Sequence, residues 1–150
     1  DGYFLIQECF CDGEQTEAQK TEILRHHWIA EIDSLLGIPH YKTLTKQKLK
    51  SIVSSLRLKE VEIFESTHPV KCLFCEDKFE CDDPKNEKFI NQSIKGIDDE
   101  LDRLTKHLNV KPLQEDPNVK LLQEEGKKLK VRIRKFGISL ASHLFCVGKK

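Results

Sequence analysis

The chain contains no methionine, one tryptophan, seven glycines and five prolines among its 150 residues. None of the glycines forms a Gly-rich phosphate loop, and no His-Glu-x-x-His, paired Glu-x-x-His or Gly-x-Ser-x-Gly pattern occurs. A catalytic constellation is therefore absent from the linear pattern, and a non-enzymatic protein is expected. No apolar run approaches the roughly 20 residues of a membrane span, and Asp1-Gly2-Tyr3-Phe4-Leu5-Ile6 lacks the basic region and length of a signal peptide. Membrane insertion is not expected. The missing initiator methionine implies a processed mature protein or a fragment of a longer one. Charge of one sign is also lacking: Lys+Arg and Asp+Glu both number 25. That balance argues against a surface wholly devoted to nucleic acid or membrane.

What is present is a large share of charge, 33% against 38% apolar residues, with the apolar ones in helical rhythm. At this length one domain, 1–150, can bury about two thirds of its unfolded surface. Leu24, Trp28, Ile32 and Leu35 predict a helix over about 16–36, stopped by Gly37 and Pro39. Leu49, Ile52, Val53, Leu56, Ile63 and Phe64 predict a second over about 45–65, with Glu60 as an interruption. Asp83-Pro84 is an N-cap followed by a first-turn proline, and Ile90, Ile94, Ile97, Leu101, Leu104 and Leu108 continue it as a helix over about 84–108. Asp116-Pro117 repeats that start, and Leu122, Leu129, Ile133, Phe136, Leu140 and Leu144 extend the fourth helix over about 117–145.

A helix of about 21 residues is roughly 31 Å long, whereas an extended chain covers at most about 3.5 Å per residue. The short links after the first and third helices must then be hairpins, so the expected fold is all-α: an up-down-up-down four-helix bundle. In that topology Cys9 and Cys11, the loop over 66–83 with Cys72, Cys75 and Cys81, and Cys146 gather at one end as a cysteine-rich cap. Three disulfides among these six are the first expectation, with fifteen pairings open. The alternative is zinc, held by Cys9, Cys11, Cys72 and Cys75, with Cys81, Cys146, His143 and His68 as a second set. A redox role for Cys72-x-x-Cys75 is disfavoured by Glu76, Asp77 and Glu80, which oppose thiolate formation.

On the fourth helix, Val131, Ile138 and Phe145 recur every seven residues opposite the core stripe. The bland explanation is coverage by the segment Tyr3-Phe4-Leu5-Ile6. The functional one is a partner surface with Phe145 as anchor and Lys127, Arg134 and Lys135 as charged rim. The basic run Lys127, Lys128, Lys130, Arg132, Arg134 and Lys135 can serve as a polyanion contact, or simply as the solvated flanks of an amphipathic helix. Asp98, Asp99, Glu100 and Asp102 fan around the third helix without converging, and His26 and His27 flank the core line of Trp28. Asn91-Gln92-Ser93 is a glycosylation sequon. These features together imply a secreted, disulfide-stabilised signalling or binding protein that meets a protein partner, such as a cell-surface receptor, through its helix faces. The alternative is an intracellular zinc-capped helical module of a larger protein that binds protein or nucleic acid. A small-ligand carrier is the third class.

Overall fold

The computed structural model describes residues 2–66, 83–108 and 117–150. The elements are β1 (Tyr3–Cys9), α1 (Glu17–Leu35), α2 (Lys46–Ser55), β2 (Lys59–Ser66), α3 (Glu87–Leu108), α4 (Pro117–Phe136) and β3 (His143–Lys149). The three strands form one antiparallel sheet in the order β1-β3-β2. The fold is therefore mixed α and β, and the expected all-α bundle is incorrect.

Two of the four expected helices end early, each for a local reason. The segment 45–65 is helical only to Ser55. Arg57 then takes a left-handed backbone at φ 51°, and within Lys59–Ser66 the run Glu60-Val61-Glu62-Ile63 alternates charged and apolar residues with the period of a strand. The fourth helix stops at Phe136 because Gly137 adopts φ 78°, and a Cβ there would lie 2.1 Å from the Pro84 carbonyl oxygen. The Ile138 amide donates to that same oxygen at 2.9 Å, which turns the chain toward β3. Residues 143–149 pair with both neighbours and leave the helix-period stripe.

The remaining helices follow their caps. Thr16 Oγ1 accepts from the Gln19 amide while Gln19 Oε1 accepts from the Thr16 amide, a reciprocal capping box that starts α1. Thr45 caps α2, and Asp12 Oδ1 takes up the Lys46 amide at 2.7 Å. α1, α3 and α4 pack as a three-helix layer around Trp28, Ile32, Ile90, Ile97, Leu104, Val119, Leu122, Leu129 and Ile133. Ile90, Ile97 and Leu104 follow the seven-residue spacing of α3, which keeps one seam facing its neighbours. A second, smaller core of Phe10, Leu49 and Leu144 joins α2 to the inner face of the sheet.

Gln15 links the two layers. Its amide nitrogen donates to the carbonyls of Phe10 and Asp12, and its oxygen accepts from the Ser142 amide. The entry to α1 and the approach to β3 are thus held by one side chain.

Candidate functional site

β3 lies between two edge strands, and its side chains alternate in burial. Leu144 and Cys146 are fully buried on the inner face, whereas Phe145 and Val147 point outward and are half-buried. Register places Tyr3 opposite Lys149, Leu5 opposite Val147, Gln7 opposite Phe145 and, from the other side, Phe64 opposite Phe145. Phe64 and Phe145 stack with centroids 5.0 Å apart and planes within 2°. The outer face thereby collects Tyr3 (76% exposed), Leu5 (67%) and Phe64 (51%) around Phe145.

The two edges of this sheet differ. β2 carries Lys59, Glu60, Glu62 and Glu65, has a register shift between Lys59 and Glu62, and places Glu60 at φ 49°. Charges and a bulge of this kind oppose the addition of a further strand. β1 has Glu8 as its single charge, no lysine or proline, and an unbroken register over all seven residues. Among the described residues no strand pairs with its outer edge, which lacks those protections.

On the other side of the sheet a cavity of about 650 Å³ opens between β1, α1, α2 and the segment 39–44. Its floor is apolar, built from Ile6, Ile23, Leu49, Val53, Ala141 and Leu144, and His26 and His40 stand in its wall. A chain of polar contacts runs behind that wall. Arg103 donates to Asp33 Oδ1 at 2.5 Å, Asp33 Oδ2 meets His40 Nδ1 at 2.7 Å, His40 Nε2 meets His26 Nε2 at 3.1 Å, and His26 Nδ1 meets Thr43 Oγ1 at 3.2 Å. One assignment satisfies the chain: the Thr43 hydroxyl donates to His26, His26 Nε2–H to His40, and His40 Nδ1–H to Asp33. Burial lowers the affinity of His26 for a proton, and the adjacent His40 lowers it further. Burial opposes ionisation of the Asp33 carboxyl, but hydrogen bonds from His40 and Arg103 outweigh it and hold the group below its ordinary value.

The residues singled out from sequence disperse. Val131 is exposed (68%) on α4, Ile138 packs against the three-helix core, and Phe145 sits on the sheet, so no helical stripe joins them. Of the proposed rim, Lys127 pairs with Glu124, Arg134 is exposed, and Lys135 lies over the Phe136 ring. Within the basic run Lys130 reaches Asp98 on α3 and Arg132 reaches Glu17 on α1, which ties those charges to the fold. Asn91 is exposed on α3.

Cys9, Cys11 and Cys146 are free thiols, with no disulfide among them. Cys72, Cys75, Cys81 and His68 lie outside the described residues. His143 and Cys146, which a helix would bring to one face, are three apart on a strand and so face opposite sides. His143 Nε2 instead meets Cys9 Sγ at 3.1 Å. Burial raises the Cys9 thiol pKa above its ordinary value, and Glu8 and Glu22 raise it further, so this pair lacks the electropositive surroundings of an activated cysteine. Among the described residues no group of three or more His, Cys, Asp or Glu side chains is arranged to hold a metal ion, and no helix is long and apolar enough to cross a membrane.

Sequence reasoning missed both features described above. The β1 edge was hidden in a segment read only as a cover, although a short alternation over 60–63 pointed to strand β2 of the same sheet. The histidine chain joins positions seven to seventeen residues apart through a loop that carries no local signal. Comparison of the chain with family models, curated proteins and solved structures gives no match.

Proposed function

We propose that this protein is a non-enzymatic binding module that recognises an extended segment of a protein partner by adding it as a strand to β1. The observation that carries the reading is the asymmetry of the sheet edges: β2 is charged and bulged, whereas β1 is regular, nearly uncharged and exposed. Backbone hydrogen bonds to the free edge would supply affinity. Tyr3, Leu5 and Phe145 would select apolar side chains at alternate positions of the incoming strand. The reading keeps Phe145 as a partner contact but moves the contact surface from a helix face to the sheet.

The test is a displayed-peptide library selected on the folded protein. Peptides with alternating apolar residues should emerge, and their binding should fall at least tenfold in Leu5→Lys while remaining intact in Val131→Asp. Ligands indifferent to Leu5→Lys but abolished by Val131→Asp would return the contact to α4 and overturn the proposal.

A further inference from the structure

The contact between His26 and His40 is a bent hydrogen bond whose separations also suit a shared ion. Their Nε2 atoms are 3.1 Å apart, and the ring centroids are 4.8 Å apart with planes at 84°. A bond of that length running along both ring axes would set the centroids about 5.4 Å apart. The shorter separation means that at least one ring axis is inclined to the line between the nitrogens. Two nitrogens 3.1 Å apart, each about 2.1 Å from a common ion, subtend about 95° there and put the centroids about 4.8 Å apart. A tetrahedral ion would need about 3.4 Å between donors. The separations found equal those of two cis positions on a square-planar or octahedral ion and are too short for a tetrahedral one.

The surroundings match that reading. Each histidine can keep its other nitrogen engaged by oxygen when an ion replaces the proton between them: His40 Nδ1–H donates to the Asp33 carboxylate, and His26, shifted to its Nδ1–H tautomer, donates to the Thr43 hydroxyl. Such partners orient metal-binding imidazoles and fix their tautomers. Both side chains stand in the wall of the 650 Å³ cavity, which leaves room for further ligands on an ion between them.

We propose that His26 and His40 form a two-point receptor for Ni²⁺ or Cu²⁺, whose other coordination positions are filled by water or by a small chelator seated in the cavity. Both imidazoles must be neutral to bind, so protons and an ion compete for the pair. The reading is independent of strand addition at β1, since the histidines are on α1 and the segment that follows it.

The probe is Ni²⁺–nitrilotriacetate, in which the chelator supplies four donors and leaves two cis positions free. It is titrated calorimetrically into folded protein whose accessible thiols have been capped with iodoacetamide. One-to-one binding is expected, at least tenfold weaker in His26→Ala and in His40→Ala and unchanged in His27→Ala. The Cu²⁺ chelate should broaden the amide NMR signals of residues near 26 and 40 in the unsubstituted protein, a readout that holds if either variant fails to fold. No binding at about 1 mM chelate, binding that survives both substitutions, or broadening centred on other histidines overturns the proposal.

Discussion

Gly126 of α4 faces Trp28 of α1 so closely that a Cβ at position 126 would lie 2.8 Å from Trp28 Cζ2, with Leu101 of α3 at 3.2 Å on the other side. The indole is fixed there by its own hydrogen bond, in which Nε1–H donates to the Leu122 carbonyl at 2.8 Å. A glycine inside a helix costs about 1 kcal/mol relative to alanine. Here it permits the approach of three helices around the one tryptophan.

Two effects of Gly126→Ala therefore oppose each other. Better helix propensity gives about 1 kcal/mol, while forcing the indole or Leu101 aside costs about 1–3 kcal/mol. The clash involves a ring fixed by its hydrogen bond to Leu122, so it prevails: Gly126→Ala should lower stability by about 1 kcal/mol, with a shift in Trp28 fluorescence. Urea unfolding followed by that fluorescence checks it, and an increase in the midpoint would mean that Trp28 yields without cost.

Stability should fall as pH drops below about 6.5. His26 is held below its ordinary value of 6.5 by burial and by His40, and His27 by burial and by Lys42. In the interval beneath 6.5 the unfolded chain binds more protons than the folded one, so stability rises with pH there and is fully present above it. The urea midpoint should be lower at pH 5.5 than at pH 7.5, and the difference should shrink in His27→Gln. A flat profile would show that these imidazoles protonate equally well in the folded state, and one of opposite slope that they protonate more readily there.

Cys146 should be inert until the protein unfolds. It is 0% exposed on the inner face of β3 between Ile6 and Ile63, and burial raises its thiol pKa. Iodoacetamide at pH 7.5 followed by mass mapping should leave Cys146 unlabelled in native protein and label it fully in urea. Cys9 and Cys11 are half-buried and should react slowly, because burial raises both thiol pKa values and Glu8, Glu22 and Asp12 add to the effect. Rapid native labelling of Cys146, or a disulfide at that position, would place the residue outside the sheet interior.

The helical layer was legible in the sequence because its signals are local. The Thr16 capping box, the repeat through Ile90, Ile97 and Leu104, and the stripe through Leu122, Leu129 and Ile133 each act within a few turns of their own residues. The sheet was not legible in the same way. Phe64 and Phe145 fit a helical spacing in their own windows, and only pairing between distant strands shows that they belong to a strand face. Hydrogen bonds between strands reward a conformation that local spacing does not select. Gly137 and Arg57 then enforce it by backbone geometry, which a hydrophobic stripe passes over.

The amino-acid sequence by itself determined where α1 begins and which side chains of α1, α3 and α4 turn inward, since capping and amphipathicity depend on neighbours three to seven residues away. Tertiary structure decided the rest. It separated His143 from Cys146 by placing them on a strand, put β1 at an edge of the sheet among the described residues, and brought His40 back against Asp33 and His26. Each of those outcomes depends on which distant segments pair, and residue spacing along the chain does not encode that choice.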